Sequence, residues 1–191
     1  MIMSNLNYRR LANFFGFVLE LKAIKRSGWI SKVKVMNPES VADHTYSMST
    51  MVMVFSDILG LNTERAMKMA ILHDLAESIV GDYEPHEISR KEKKSRETEA
   101  INRILNHLPL EARKEYRNIW KEYLKNKTVI AQLVHGVDKF EMAFQAKKYE
   151  SQGYPSSILR QFFTSVKNEV GDNEVLRLLR HTEDAFFPNK G

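Results

Sequence analysis

Four side chains capable of metal or acid–base chemistry lie within residues 71–82, in the stretch ILHDLAESIVGD. His73 and Asp74 are adjacent, and helical spacing would place Glu77 beside them, since it is four residues after His73 and three after Asp74. Asp82 follows, directly after a glycine. Imidazole and carboxylate groups together suit a first-row transition ion, and a carboxylate that does not bind the ion can move protons. By itself the His73–Asp74 pair could be a surface pair or a core histidine with satisfied hydrogen bonds, and a metal-assisted active site requires that other parts of the chain supply more ligands.

Two distant residues are candidates for those ligands. His44 lies one turn into an upstream predicted helix, and Asp138 lies among apolar residues of a downstream one, where Gly136 would let another group approach closely. A buried Asp costs free energy unless it is paired or bound to a cation. Each of these residues could equally be an ordinary solvated helix residue, and spacing alone does not show that they meet.

The composition is that of a globular protein of 191 residues, with 43% hydrophobic and 28% charged residues. We expect a single domain over residues 1–191. The absence of cysteine excludes disulfides, thiol catalysis and cysteine-bound zinc, so a metal would be held by His, Asp and Glu. The net charge of +5 suits an anionic partner such as a phosphate. No apolar run is long enough to span a membrane and no signal peptide is expected, so we expect a cytoplasmic protein.

Apolar residues recur at helical spacing along most of the chain, and no strand-like alternation of useful length occurs. We therefore predict an all-α fold of about eight helices. One helix begins near residue 66 and carries the His73–Asp74 pair in its later turns, and Ser40 with Asp43 has the spacing of a helix-capping box. The other predicted helices cover residues 5–25, 40–59, 89–107, 110–125, 126–149, 156–170 and 173–186, with loops at 26–39 and 81–88.

The ordered set of one His, a His–Asp pair and a distant Asp resembles the ligand pattern of the HD-domain metal-dependent phosphohydrolases. More narrowly, the chain is similar to the 5′-deoxynucleotidase branch of that superfamily. The matching segments are RSGW at 26–29, ESVADH at 39–44, HDLAE at 73–77, GD at 81–82 and VDK at 137–139. The resemblance implies an HD-domain helical bundle that spans most of the chain.

The resemblance implies a role for each matched residue. The metal ligands would be His44, His73, Asp74 and Asp138. Glu77 would be the general acid/base, and Asp82 would be a second catalytic carboxylate that also meets the substrate's sugar oxygen. In an ion that takes five or six ligands, two imidazoles and two carboxylates leave positions open for water and a phosphate oxygen, as a catalytic site requires. Such ligands admit one divalent Mn, Co, Ni, Zn or Fe ion.

Two further matched residues would bind the substrate. Arg26 would clamp the phosphate with its forked guanidinium, and Trp29 would pack near the sugar, where its bulk could disfavour a 2′-hydroxyl. In bacterial deoxynucleotidases the Arg and Trp are adjacent, whereas Ser27 and Gly28 separate them here. The spaced form is similar to that of archaeal and eukaryotic relatives in the same branch.

The resemblance implies a homodimer that hydrolyses deoxynucleoside 5′-monophosphates to nucleoside and phosphate. The metal would lower the pKa of a water towards about 7. A second interpretation is an HD phosphodiesterase or dNTP triphosphohydrolase, although this chain has little length for the extra pocket elements those enzymes need. A third is a basic module that binds a nucleotide or nucleic acid without turnover. The complete ligand set with Glu77 argues against the third, and we expect neither nucleic acid nor a membrane as partner.

Overall fold

The computed structural model describes residues 6–84 and 87–168, together with the single residues 177, 181 and 182. Within these ranges the chain forms eight α-helices, one π-helical turn and no strand. In order they are α1 (Tyr8–Glu20), the π turn (Trp29–Val33), α2 (Val41–Ile58), α3 (Thr63–Leu72), α4 (Glu77–Val80), α5 (Arg90–Leu105), α6 (Leu110–Lys125), α7 (Val129–Ser151) and α8 (Ser156–Asn168). The predicted all-α class is confirmed. Among the described residues, no helix is long and apolar enough to cross a membrane.

The main hydrophobic core joins the three elements that carry the candidate ligands. Met48 and Val52 of α2, Met69 of α3, and Leu133 and Val137 of α7 belong to one cluster of buried side chains. Fully burying a side chain of this size contributes about 1.5–3 kcal/mol. The core therefore fixes α2, α3 and α7 relative to one another before any polar contact is considered.

The start of α2 is fixed by the predicted capping box. The Ser40 hydroxyl oxygen accepts a hydrogen bond from the Asp43 N–H at 3.1 Å, and the Asp43 carboxylate accepts one from the Ser40 N–H at 2.8 Å. The Ser40 carbonyl then accepts the His44 N–H at 3.1 Å, which opens the helix. The cap thus sets the position of His44 along α2.

The predicted loop at residues 26–39 contains the π turn, and backbone hydrogen bonds join its two ends. The Arg26 N–H donates to the Glu39 carbonyl at 3.1 Å, and the Val41 N–H donates to the Ile24 carbonyl at 2.9 Å. The π turn ends at Lys34, which has a left-handed φ of 62°. A second buried cluster joins this segment to α7 and α8; its members are Trp29, Val33, Val35, Ala146, Tyr149, Leu159 and Phe162. Residues 26–39 are therefore more ordered than the predicted loop.

The His73–Asp74 pair lies just beyond a helix rather than within one. Helix α3 ends at Leu72, a turn follows, and α4 begins at Glu77. The His73 side chain hydrogen-bonds the Ala70 carbonyl at 2.6 Å, and in a continued helix that carbonyl would accept the Asp74 N–H. The prediction of a continuous helix through these residues is thus wrong. The helix ends where the His73 imidazole hydrogen-bonds the Ala70 carbonyl.

Two predicted segments lie wholly or largely outside the described residues. Residues 85–86 of the loop predicted over 81–88 are not described, and of the last helix, predicted over 173–186, only residues 177, 181 and 182 are described. The helix predicted over 5–25 is longer than α1, which ends at Glu20, and the remaining predicted helices coincide with observed ones to within about three residues, as is usual for boundaries read from a sequence.

Candidate metal centre and active site

A cavity of about 480 Å³ opens between the loop that follows Arg26, the turn after α3, the segment 82–84, and helices α5 and α7. Its volume is in the range of small-molecule sites. All the predicted site residues except His44 line it: Arg26, Trp29, His73, Asp74, Glu77, Asp82 and Asp138. His44 lies behind the wall, against Asp74 and Asp138.

His44 points from the first turn of α2 into the interior and is fully buried. Its Nδ1 is 2.5 Å from a carboxylate oxygen of Glu141, and its Nε2 is 3.3 Å from Asp138 and 3.9 Å from Asp74. Burial and the charge of Arg26 oppose protonation of the ring, but Asp138 and Glu141 raise the pKa of His44 to about 10. The carboxylates around this ring therefore favour a positive charge there, whether on the protonated ring or on a bound metal ion.

His73 is held by the backbone. Its Nδ1 lies 2.6 Å from the Ala70 carbonyl, and because a carbonyl only accepts, the hydrogen of the neutral ring resides on Nδ1. The lone pair of Nε2 is left facing the cavity. This Nε2 is 2.9 Å from a carboxylate oxygen of Asp74 but makes no hydrogen bond. Two acceptors at this distance repel each other unless a proton or a metal ion lies with them.

The residues present fit a divalent cation. Ligand atoms of His44, His73 and Asp74 all lie within 4.8 Å of one another. The Nε2 atoms of both histidines are buried and have no hydrogen-bond partner, an arrangement that costs free energy until something occupies the space between them. Nitrogen and oxygen donors of this kind bind first-row transition ions, so this cluster could hold a metal. Asp138 adjoins it through His44.

Glu77 is a buried carboxyl in the cavity wall, with only 2% of its surface exposed. One oxygen has no hydrogen-bond partner, and the other is 3.9 Å from the Lys93 ammonium on α5. Burial, followed by the negative charges of Asp74 and Asp82, raises the pKa of Glu77 well above its ordinary value. A carboxyl with a raised pKa can give and take a proton near neutral pH.

Arg26 and Asp82 lie beside each other in the cavity wall. The Arg26 guanidinium is 3.3 Å from Asp74 and 3.7 Å from Asp82. Burial opposes its charge, but these two carboxylates raise the pKa of Arg26 above its ordinary value. Asp82 also accepts hydrogen bonds from the N–H of Ser27 at 2.7 Å and from its hydroxyl at 3.1 Å. Ser27, one of the two residues between the Arg and the Trp, thus anchors the loop that carries both.

Trp29 forms part of the cavity wall but is only 2% exposed. Its indole N–H donates to Glu39 at 2.8 Å, and its ring packs against Phe162 and Tyr149, with centroids 4.3 and 5.1 Å away. Burial, with a smaller effect of Glu141, raises the pKa of Glu39 to about 7. Trp29 is therefore held on several sides, which makes this part of the wall rigid.

A family model described as HD domain matches residues 18–177. The chain belongs to the HD domain family. A human protein named 5′-deoxynucleotidase HDDC2 is 38% identical over 176 residues, which cover 92% of this chain and 85% of the human protein. A Danio rerio protein of the same name is 41% identical over 172 residues, covering 89% and 84%. The resemblance inferred from the sequence is confirmed.

Solved structures agree with the HD domain architecture. A conserved hypothetical protein from Pyrococcus furiosus superposes with a TM-score of 0.73 at 30% identity, covering 91% of this chain and 97% of that one. A protein from Pyrococcus horikoshii superposes with a TM-score of 0.75 at 28% identity, covering 91% and 96%.

Sequence patterns do not single out three charged residues of this HD domain that touch the site. Glu141 contacts His44, and its position three residues after Asp138 on α7 is a signal that could have found it. Lys139 lies 3.1 Å from Asp138 and follows it directly. Lys93 reaches Glu77 only because α5 folds beside the cavity, so no local spacing connects the two.

Proposed function

We propose that this HD domain hydrolyses deoxynucleoside 5′-monophosphates to a nucleoside and inorganic phosphate. One observation carries the proposal: the unpartnered Nε2 atoms of His44 and His73 converge with Asp74 beside a cavity that also presents Arg26 and Glu77. The relatives at 38–41% identity are named 5′-deoxynucleotidases, which supports this substrate class.

The proposed metal ligands are the two imidazoles and two carboxylates of the matched pattern: His44, His73, Asp74 and Asp138. Mn, Co, Ni, Zn and Fe are all compatible with such donors. When bound, the ion lowers the pKa of a water to about 7 and offsets charge on the phosphoryl oxygens. With the ion bound, each histidine would keep a hydrogen on Nδ1, held by Glu141 for His44 and by the Ala70 carbonyl for His73, and would offer Nε2 to the ion.

Glu77 moves the protons of the reaction in this proposal. The water oxygen bonds to phosphorus, the bond between phosphorus and the 5′-oxygen breaks, and the leaving oxygen takes up a proton. The raised pKa of Glu77 lets its carboxyl hold the proton in transit. The Lys93 ammonium, 3.9 Å away, reduces the cost of the ionised form.

Arg26 binds the phosphate, because its buried fork can donate to two phosphate oxygens at once. Asp82 orients Arg26 directly and through Ser27, and it faces the sugar from the cavity wall. Trp29 sets the rigid wall on the sugar side. A 2′-hydroxyl needs both space and a hydrogen-bond partner there, and the indole N–H is already bonded to Glu39.

Phosphate release tests the proposal. Metal-stripped protein is assayed on matched deoxyribo- and ribonucleoside 5′-monophosphates with Mn, Co, Ni, Zn or Mg added back. We expect metal-dependent phosphate release from the deoxynucleotides and weaker release from the ribonucleotides. Equal rates on both would remove the sugar selectivity. Pyrophosphate or triphosphate release from dNTPs would favour the triphosphohydrolase alternative, and no turnover with any metal would favour a binding module.

The homodimer and the cytoplasmic location stay predictions.

A further inference from the structure

The two ring nitrogens of His44 lie between two carboxylates from a single helix. On α7, Asp138 approaches Nε2 at 3.3 Å, and Glu141, almost one turn later, approaches Nδ1 at 2.5 Å. Glu141 is 3% exposed, so its carboxylate does not face solvent. Burying a carboxylate costs free energy unless the charge has a specific partner. The partner of Glu141 is the ring of His44.

His44 depends on another helix for this contact, unlike His73. The Nδ1 of His73 uses the Ala70 carbonyl, which is available because α3 ends there. His44 lies within α2, where the Ser40 carbonyl accepts the His44 N–H. Its Nδ1 is instead contacted by Glu141, a side chain of the neighbouring helix α7.

Glu39 is the other carboxylate near this nitrogen, but it is engaged elsewhere. Ligand atoms of Glu39, His44 and Glu141 lie within 4.8 Å of one another. Glu39 accepts the indole N–H of Trp29 at 2.8 Å, whereas Glu141 makes the direct contact with Nδ1.

We propose that Glu141 is a positioning residue for the metal centre. Its carboxylate accepts the Nδ1–H of His44, fixes the ring orientation and directs the Nε2 lone pair at the ion. This inference rests on the proposed role of His44 as a ligand. A carboxylate on the far nitrogen also makes an imidazole a stronger donor, and losing such a partner typically lowers metal affinity about 10- to 100-fold.

The test measures the affinity of the full chain for Zn²⁺ alone, by chelator competition. Glu141→Gln keeps an acceptor oxygen of the same shape without the charge, and Glu141→Leu removes both. Glu150→Gln is the matched control, because Glu150 lies on the same helix and pairs with Lys147, away from the cavity. We expect a loss of about tenfold for Gln, about 100-fold for Leu and no change for the control.

A second readout separates positioning from general stability. In the Zn²⁺-loaded parent, long-range ¹H–¹⁵N spectra of the histidines should show His44 protonated at Nδ1, and in Glu141→Leu that proton should exchange faster with water. Thermal unfolding of each metal-free variant checks folding; if the Leu variant does not fold, the Gln variant carries the test.

The outcomes distinguish this inference from the function on which it rests. Unchanged Zn²⁺ affinity in both Glu141 variants, or a metal on Nδ1 of His44, would overturn the positioning role and leave the proposed activity standing. A parent protein that binds no divalent ion would overturn both.

Discussion

A substitution at Glu77 should remove proton transfer without removing the metal, so it separates the two contributions to activity. We expect Glu77→Gln to lower kcat by about 10²–10⁴-fold, since an amide cannot shuttle the proton. The bound metal should stay, because Glu77 is not among the proposed ligands. Phosphate release and metal content are measured on the same preparation. A variant with full metal and parental kcat would remove Glu77 from the mechanism.

Arg26 should matter through the geometry of its fork as well as its charge. Arg26→Lys keeps a cation near Asp74 and Asp82 but loses the bidentate arrangement. We expect kcat/KM for a deoxynucleotide to fall roughly 10- to 100-fold, equivalent to the about 1.5–3 kcal/mol of a charged hydrogen bond. Steady-state kinetics would show this. Parental kinetics in the Lys variant would mean that phosphate is bound elsewhere.

At the scale of single residues, the sequence identified the residues that line the cavity better than the residues that hold them in position. His73, Asp74 and Glu77 stand close in sequence, so their side chains could be grouped without a fold. Glu141 could not be given a partner, because its contact with His44 joins residues 97 positions apart. The contact exists only once α2 and α7 pack, and a lone Glu on a helix is most often solvated.

Among the elements, the start of α2 makes a pH-dependent contribution to stability. The backbone and hydroxyl hydrogen bonds from Ser40 lower the pKa of Asp43 below its ordinary value. Since the folded pKa is the lower one, the stabilisation is complete above the unfolded carboxyl's pKa of about 3.9 and is lost as the pH falls through the folded pKa.

Asp43→Asn tests this cap. We expect the variant to be less stable than the parent at pH 7 by about 0.3–1 kcal/mol, the usual contribution of a carboxylate in the first turn of a helix. The difference should shrink as the pH falls below 4. Denaturant unfolding at a series of pH values measures it. A difference that is constant with pH would show that the charge of Asp43 does not contribute.

Helix periods and caps predicted most elements, and the departures occur where a side-chain hydrogen bond or packing against distant residues overrides the local pattern. Apolar spacing located α2 and α7, and Ser40 marked where α2 starts. The break after Leu72 was not predictable from periodicity, because it depends on the His73 ring taking the Ala70 carbonyl. The π turn in 26–39 was missed because it is stabilised by distant residues of α7 and α8.

For the molecule as a whole, metal should act as a stabilising ligand. The candidate ligands come from α2, the turn after α3 and α7, so an ion would link parts that meet only in the folded chain. Folded protein at an ion concentration 100 times the dissociation constant gains about 2.7 kcal/mol. We expect Tm to rise on adding Zn²⁺ or Mn²⁺ to stripped protein. His44→Ala should abolish the rise; an equal rise in that variant would place the ion elsewhere.

The base of residues 26–39 brings the two ends of that segment together, with Lys25 and Ser40 bridged. Arg26 and Trp29 thus lie on a segment whose two ends leave and rejoin the helix bundle side by side. The segment packs against α7 and α8 through Trp29, Val33 and Val35, so it keeps its place only if those contacts are kept. Given the substrate-binding roles proposed for Arg26 and Trp29, exchanging residues 26–39 between relatives should transfer selectivity for the sugar and leave the metal ligands in place.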